Sequence, residues 1–255
     1  MGDCRDEIPY FEGEEVAMIV KDAVWEKRNL GVDSVEMEVE PEDTYEEVEK
    51  VLSEVQSQYL ALKIPTTRTD LTWLAAKYGY VYVEDMMFLE HNLQPIERTP
   101  LQQRLYDAVK VVPMEEEDFP VLFEEIKKGS FAFDRISNDP FFTKEQSITR
   151  FLNWLNDEKE RGAEFLKGMK KDEMIGFFTI REIEDGVYTS ALGGTFMKWR
   201  KGGLGTNVQT PEEVKKRGGK KLILGVSTNN MIQIRALIQN GFFPVRANHV
   251  YVKHC

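Results

Sequence analysis

The chain has 255 residues, of which 42% are hydrophobic and 30% charged, and these values are typical of a globular protein with a sizeable core. Its formal net charge is −11, and no basic stripe interleaved with aromatic residues occurs, which argues against a nucleic-acid-binding protein. The charge is uneven: residues 1–100 carry 9 Lys+Arg against 23 Asp+Glu, a net −14, whereas residues 101–255 carry 24 against 21, a net +3.

Cysteine and histidine usage argues against a disulfide framework and against a metal site. The two cysteines, Cys4 and Cys255, are far apart, and the three histidines do not have the spacing of a metal triad. The acidic first fifteen residues lack the basic and apolar regions of a signal peptide, and no apolar run approaches the ~18 residues of a membrane span. These features predict a cytoplasmic protein without a membrane or nucleic-acid partner.

The first ninety residues predict short strands and helices. Residues 14–25 favour a strand and turn, and residues 35–39 favour an edge strand with one face in water, because apolar and acidic residues alternate. A helix is predicted from Thr44 to Gln58, and the acidic run from Glu36 to Glu49 is interpreted as a solvated face. A strand at 59–64, a helix ending at Lys77 and a strand at 81–89 are predicted to follow.

A domain boundary is predicted where the charge changes. Residues 91–100 contain Pro95 and Pro100 and show no period, which is typical of a connecting segment. We therefore divide the chain into an N-terminal domain at 1–98, a linker at 99–107 and a second domain at 108–255.

The second domain predicts a strand, two helices and then three antiparallel strands. The strand covers 108–112, the first helix 115–128, and Thr143 begins the second helix with Gln146 at capping-box spacing. The three strands cover 164–169, 174–183 and 187–196, and Asp185-Gly186 indicates a hairpin. A strand at 221–226, a helix at 231–240 and a strand at 245–252 are predicted to follow.

A glycine-rich loop, Arg200-Lys201-Gly202-Gly203-Leu204-Gly205, follows the third antiparallel strand. Backbone N–H groups in such a turn can hold phosphate oxygens, and the two cations would add charge there; the alternative is a plain cationic turn. Pro211 predicts that the next helix begins late, with Thr210 as its cap.

An internal repeat relates the two halves. When Gly79 is placed on Gly241, both segments predict a strand, a turn containing threonine, a helix, Gly-aromatic and a strand, without a gap. The first half has no counterpart of the glycine loop, so we expect it to shape a substrate cleft or to be structural.

The order of these elements resembles the GNAT acyltransferase fold, a tandem α+β architecture with a mostly antiparallel mixed sheet flanked by helices. The loop Arg200 to Gly205 is similar to the family's phosphate loop, and Asn229-Asn230 with Gly241-Phe242 is similar to its next motif. The chain also resembles the TDP-fucosamine acetyltransferase group of sugar N-acetyltransferases, which have a degenerate N-terminal GNAT half. The segments that carry this similarity are 25–31, 133–142, 151–154 and 238–241.

The resemblance implies acetyl-CoA as donor, without a metal, and the primary amine of a small molecule as acceptor. Backbone groups around Gly194 to Met197 would hold the pantetheine arm, N–H groups from Lys201 to Thr206 the pyrophosphate, and Asn230 the region near the thioester. The cofactor residues expected on this basis are Gly194, Thr195, Phe196, Met197, Arg200, Lys201, Gly202, Gly203, Leu204, Gly205, Thr206, Asn230 and Leu237. A homodimer is a candidate assembly.

The sequence departs from the family pattern where a proton donor is expected. Many members have a tyrosine seven residues after the motif asparagine, but this chain has Leu237. His249, Glu182 and Tyr251 are the candidates for proton transfer, although an ordinary strand or surface role is the simpler explanation of each. Phe133, Arg135 and Asp139 are candidates for acceptor binding; the alternative is an ordinary loop salt bridge.

Two function classes therefore remain open. One is an acetyl-CoA-dependent N-acetyltransferase acting on an amino sugar or a nucleotide-linked amino sugar, or on another amine such as an antibiotic, a polyamine or a protein N-terminus. The other is a non-catalytic acyl-CoA-binding or ligand-sensing protein, which Leu237 favours. The absence of Gly-Lys-Ser/Thr after the glycines excludes a P-loop, and the antiparallel hairpins before the loop exclude a Rossmann unit.

Overall fold

The computed structural model describes residues 18–201 and 205–255, which form a mixed sheet with helices on both faces. The strands are β1 Ile19–Asp22, β2 Ser34–Glu38, β3 Tyr59–Pro65, β4 Val81–His91, β5 Lys110–Pro113, β6 Glu164–Lys170, β7 Glu173–Glu184, β8 Val187–Thr189, β9 Gly193–Thr195, β10 Lys221–Ser227 and β11 Phe243–His254. The helices are α1 Val24–Leu30, α2 Tyr45–Glu54, α3 Thr69–Lys77, α4 Pro100–Asp107, α5 Phe119–Lys127, α6 Arg135–Asn138, α7 Lys144–Glu160, α8 Met197–Arg200, α9 Thr210–Lys216 and α10 Met231–Gln239.

The described strands follow one another in the order β1-β2-β3-β11-β4-β10-β8-β7-β6-β5, with β9 beside β7. The pairs β2–β3 and β8–β10 are parallel and the other pairs are antiparallel. The predicted fold class, a mostly antiparallel mixed sheet flanked by helices, is confirmed. No helix among residues 18–201 and 205–255 is long and apolar enough to cross a membrane.

The two repeated units have matching bounds. When Gly79 is aligned with Gly241, β3 and β10 begin and end at equivalent residues, and so do α3 and α10. β4 and β11 begin at equivalent residues, and β11 is one residue longer at its end. Gly79 and Gly241 both have a positive φ after their helices, +80° and +87°, which a glycine adopts without strain. Both units therefore have the predicted order of elements.

The units exchange their last strands. β4 pairs with β10 of the other unit, and β11 pairs with β3, while β4 and β11 pair with each other. The registers match as well. Pro65 pairs with Asn248, and the equivalent residues, Ser227 and Met86, also pair with each other. Met86 and Asn248 are themselves paired, so a pseudo-twofold axis passes close to this pair. Each unit completes the sheet of the other.

Four predictions for the first half need correction. β2 is not an edge strand, because β1 pairs with its free side. The segment 14–25, as far as it is described, forms β1 and the start of α1, and α2 ends at Glu54 rather than Gln58. Thr44 does cap α2, with a capping box to Glu47. Finally, the acidic run is not wholly solvated, because only 12% of the Glu36 side chain is exposed and its carboxylate forms an ion pair with Arg135.

The predicted linker, 99–107, contains helix α4. Thr99 caps this helix through a capping box with Gln102, and Pro100 takes its first position, where its missing N–H costs no hydrogen bond. The division into two domains stays a prediction.

The second half follows its prediction closely, except at the strand before the glycine loop. The capping box from Thr143 to Gln146 is present, and Gly186 has a φ of +74° in the predicted hairpin. The strand predicted at 187–196 is divided into β8 and β9. Residues 190–192 lie between the two strands and do not pair with β10. This interruption creates the candidate site.

Candidate functional site

A cleft opens between two parallel strands of the second half. β8 and β10 pair from Lys221 to Ile223 and then separate, because Leu192 O accepts from Thr179 N at 2.8 Å and β9 pairs with β7. The corresponding strands of the first half stay together: β2 and β3 pair over five residues, and Val39 N donates to Lys63 O at 2.9 Å. The first half thus has no equivalent opening between these two strands.

A first cavity of about 230 Å³ occupies this cleft. Its wall is mainly aromatic and aliphatic and includes Phe131, Phe151, Trp154 and Ile232. Six of the predicted cofactor residues line it, together with Phe133 from the predicted acceptor loop: Gly194, Thr195, Arg200, Gly205, Asn230 and Leu237.

The other predicted cofactor residues lie around this cavity or outside the described part. Phe196 is buried in the core under α5 and α7, and Met197 is half-exposed. Lys201 is exposed, whereas Thr206 is buried and its N donates to Thr195 Oγ1 at 3.2 Å. Gly202, Gly203 and Leu204 lie outside the described residues, so the structure does not test their phosphate-binding role.

Arg200 fixes the end of β9 to the loop before α6. Its Nε donates to Thr195 O at 3.0 Å, its Nη2 donates to Ser130 O, and its guanidinium lies 5.0 Å from the Phe133 ring centre. Burial lowers the pKa of Arg200 below its ordinary value. These contacts shape the mouth of the first cavity.

The helix behind the glycine loop begins earlier than Pro211 predicts. A 3-10 turn at Asn207–Gln209 precedes α9, so helical geometry starts two residues after Gly205. Gln209, and not Thr210, precedes the first α-helical residue, and its Nε2 donates to Tyr106 O and Val109 O at 2.9 and 2.7 Å. The turn is thereby attached to α4 and to Val109, which directly precedes β5.

Asn230 and Leu237 have structural roles at the cavity wall. Asn230 caps α10, with Oδ1 accepting from Gln233 N at 3.3 Å. Leu237 is buried between the cavity and the core. Leu237 supplies no proton, as the sequence indicates.

A second cavity, also about 230 Å³, joins the first. Met86, Trp154, Ala191 and Gly225 line both. The second cavity has six basic side chains in its wall: Lys21, Lys63, Arg135, Arg150, Arg161 and Arg181. It also has four acidic ones: Glu36, Glu38, Asp157 and Glu158. Both halves of the chain contribute to this wall.

The three predicted proton-transfer residues lie elsewhere. His249 Nδ1 is 2.6 Å from Asp85 Oδ1, and Tyr251 packs in the core of the first half. Glu182 Oε1 accepts from Gly186 N at 2.8 Å within its hairpin. None of the three lines either cavity, and their catalytic role stays a prediction without support from their position.

The predicted acceptor loop reaches the second cavity through Arg135. Its Nη2 lies 3.2 Å from both Glu26 Oε1 and Glu36 Oε2. Asp139 is buried and pairs with His254 at 2.8 Å, outside both cavities. The two residues thus have different partners.

A buried ion network, which we define as Glu26, Glu36, Lys63, Asp134, Arg135 and Arg150, joins the halves beside the second cavity. Arg150 Nη2 is 2.8 Å from Glu26 Oε1, and Lys63 Nζ is 2.6 Å from Glu36 Oε1. Burial would raise the pKa of Glu36, but the charges of Lys63 and Arg135 lower it to about 2. Burial would likewise raise the pKa of Asp134, but Arg150 and the Ser137 N–H bring it below its ordinary value.

Sequence reasoning missed this network because its partners are distant in the chain. Arg150 and Glu26, for example, are 124 positions apart. A local pattern marks such residues only as charged, and a solvated face is the ordinary interpretation of charged residues.

A second missed group is the pair Glu84 and Ser227 on adjacent strands. Ser227 Oγ donates to Glu84 Oε2 at 2.5 Å, and Asn229 Nδ2 donates to the same oxygen at 3.3 Å. Burial raises the pKa of Glu84 above its ordinary value. Ser227 also lines the first cavity, so this pair connects a buried carboxyl group to the cleft.

No protein-family model and no curated protein matches the sequence. Solved structures resemble it in fold. A GCN5-related N-acetyltransferase from Sphaerobacter thermophilus is 15% identical with a TM-score of 0.57, covering 93% of this chain and 76% of that one. A tandem GNAT protein from the clavulanic acid biosynthesis pathway is 11% identical with a TM-score of 0.53, covering 87% and 75%.

A third similar structure is a GCN5-related glucosamine N-acetyltransferase region of a fungal multi-domain GH3 β-N-acetylglucosaminidase. It is 10% identical with a TM-score of 0.56 and covers 86% of this chain and 30% of that one. Identities this low show the fold and not the activity. The chain has a tandem fold of the GCN5-related N-acetyltransferase type.

Proposed function

We propose that the protein transfers an acetyl group from acetyl-CoA to the primary amine of a small molecule. One observation carries this proposal: an apolar cavity between separating parallel strands meets a charged cavity at Gly225 and Ala191. A direct transfer between two bound substrates needs two sites that meet at one point, because the reacting atoms must come into contact.

The first cavity fits the pantetheine arm of acetyl-CoA. Residues of β9 and β10 line this cavity together with aromatic and aliphatic side chains, and Gly194 and Gly225 lie in its wall. A Cβ at Gly225 would lie 3.3 Å from Met86 Sδ and 3.4 Å from the Phe88 ring, and would narrow the junction. Gly194, Thr195 and Asn230 would hold the arm. When bound, acetyl-CoA supplies its acetyl group as an activated thioester.

The chain must also handle the protons of this reaction. A C–N bond forms as the C–S bond breaks, the amine loses a proton, and the thiolate gains one. Ser227 lines the first cavity and is hydrogen-bonded to the Glu84 carboxyl group. We assign to this pair the role of holding a proton at Ser227 Oγ. Leu237 leaves this task to other residues.

For the acceptor we propose an amino sugar or a nucleotide-linked amino sugar. Three observations support this proposal. The sequence resembles the sugar N-acetyltransferase group, and the wall of the second cavity is charged. The fold is also shared with a region named as a glucosamine N-acetyltransferase. Trp25 and Trp154 line the second cavity and provide apolar faces for a ring.

Two measurements test the proposal. Isothermal titration with acetyl-CoA should show binding, and release of free thiol should depend on an added amine. Absence of binding at about millimolar donor would refute the donor assignment, since that concentration corresponds to only ~4 kcal/mol of binding free energy.

A second candidate function is non-catalytic binding of acyl-CoA, which Leu237 favours because it supplies no acid. Binding of the donor without amine-dependent thiol release, across amines of several classes, would support this candidate over the enzyme.

A further inference from the structure

Most charged side chains of the second cavity have close partners of opposite charge. Lys63 pairs with Glu36 at 2.6 Å, Asp157 with Arg28 at 2.6 Å, and Arg150 with Glu26 at 2.8 Å. Such pairs compensate each other, so they form the wall and leave little net attraction for a ligand.

Arg181 is different. It lies on β7 opposite Thr189, with 17% of its side chain exposed, and it lines the second cavity. Its nearest carboxylate is that of Glu158, but Nε and Glu158 Oε2 are 3.7 Å apart, beyond hydrogen-bond distance. Both atoms are buried, and neither has a hydrogen-bond partner within residues 18–201 and 205–255.

Glu158 cannot compensate Arg181 fully. This carboxylate is itself buried, and its other oxygen accepts from Arg161 Nη1 at 3.1 Å. The Glu158 carboxylate is thus shared between Arg181 and Arg161. The guanidinium of Arg181 at this end of the cavity favours an anion and disfavours a second cation.

A guanidinium has five N–H donors in a planar fork that matches a carboxylate or a phosphate. Within residues 18–201 and 205–255, Arg181 Nε is buried and has no hydrogen-bond acceptor. Buried polar groups without partners are costly, and a bound oxyanion would relieve this cost through charge-assisted hydrogen bonds.

We propose that Arg181 binds an anionic group of the acceptor, so that the acceptor is an amine which also carries a carboxylate or a phosphate. This inference rests on the proposed function, because it takes the second cavity as the acceptor site. It assigns specificity to Arg181 and excludes polyamines as preferred acceptors.

The test uses matched amines that differ in one anionic group. Glucosamine is compared with glucosamine 6-phosphate, and phenethylamine with phenylalanine, by titration without donor and by initial rates of thiol release with acetyl-CoA. We expect the acidic member of at least one pair to bind tenfold or more tightly and to show a correspondingly higher kcat/KM; a charge-assisted contact of ~1.5–3 kcal/mol corresponds to such a ratio. The pair that responds distinguishes a phosphate from a carboxylate.

Two variants connect this preference to the side chain. Arg181→Gln should abolish the preference, measured as the ratio of affinities within each pair, and Arg181→Lys should keep part of it because the charge remains. Arg217→Gln serves as the matched control, because Arg217 pairs with Glu164 outside both cavities and its loss should leave the preference unchanged. Acetyl-CoA affinity, measured for each variant, checks that the fold is intact.

The inference is overturned if neither pair shows a preference for its acidic member, and this includes the case in which no amine binds. It is also overturned if spermidine binds better than the acidic amines, or if the Arg181→Gln variant keeps the preference. A failure of acetyl-CoA to bind would instead count against the proposed function. In that case, the titrations without donor still decide whether Arg181 selects an anion.

Discussion

Replacing Glu36 with glutamine removes the charge that connects Lys63 and Arg135 in the buried ion network. Glutamine has the shape of a protonated glutamic acid, so the change isolates the effect of charge. The neighbouring cations oppose the effect of burial and hold the pKa of Glu36 at about 2, against an ordinary value of 4.5. A shift of this size corresponds to about 3 kcal/mol of folding free energy at neutral pH. We expect Glu36→Gln to lower the free energy of unfolding by about that amount.

The pH dependence has a definite direction. Because the folded-state pKa of Glu36 lies below the unfolded value, the unfolded state binds more protons in acid, and this stabilisation is lost as the pH falls from about 5 towards 2. The difference between wild type and Glu36→Gln should therefore be largest near neutral pH and fall to roughly half near pH 3.

Urea unfolding followed by tryptophan fluorescence at about pH 7, 5, 4 and 3 measures this difference. Glu46→Gln, on the exposed side of α2, is the control and should change the free energy of unfolding by less than about 0.5 kcal/mol. A difference for Glu36→Gln that is below ~1 kcal/mol at neutral pH, or that stays constant down to about pH 3, would contradict the role of the network.

Three further changes test the cleft and its surroundings. Gly225→Leu should abolish acetyl transfer in the thiol-release assay because a side chain there would meet Met86 at the junction of the cavities; full activity would contradict the junction. Gly176→Ala should lower the free energy of unfolding by about 1–3 kcal/mol, since its Cβ would lie 2.2 Å from Gly194 O, and a loss below ~0.5 kcal/mol in urea would oppose this. Glu84→Gln should gain stability relative to wild type as the pH rises above the ordinary pKa of a glutamate, because burial raises the pKa of Glu84 and the folded wild type then binds more protons than the unfolded chain; a difference that does not change with pH would disprove this.

Local sequence signals predicted the elements of this fold well. The helix start predicted at Thr44 and the capping-box spacing predicted at Thr143 are both present in the structure, because each cap satisfies backbone N–H groups within four residues. The alignment of Gly79 with Gly241 located both strand–helix–strand units, because a glycine with positive φ after a helix is a local requirement.

Features that depend on distant pairing could not be predicted in the same way. The exchange of β4 and β11 is invisible locally, because either strand has the same pattern whichever partner it takes. The sequence predicts one strand at 187–196 and not the interruption between β8 and β9, because residues 190–192 contain no proline or charged residue that would mark it. Leu192 is instead held by Thr179, a contact across the sheet.

The same limit applies to the candidate site. The first cavity was predicted in part, because glycines and Asn230 have family-like spacing. The second cavity was not, because its charged wall is assembled from β1, β2, β3, α6, α7 and β7. Its one predicted member, Arg135, has partners about a hundred positions away.

The exchanged strands also affect how the chain can be made. During synthesis, β3 and β4 leave the ribosome long before β11, the strand that lies between them in the sheet. Until then both present unpaired backbone edges, which are templates for pairing with other chains. The sheet of the first half must therefore wait for a strand encoded near the other end of the sequence, and its long-range pairing favours slow folding.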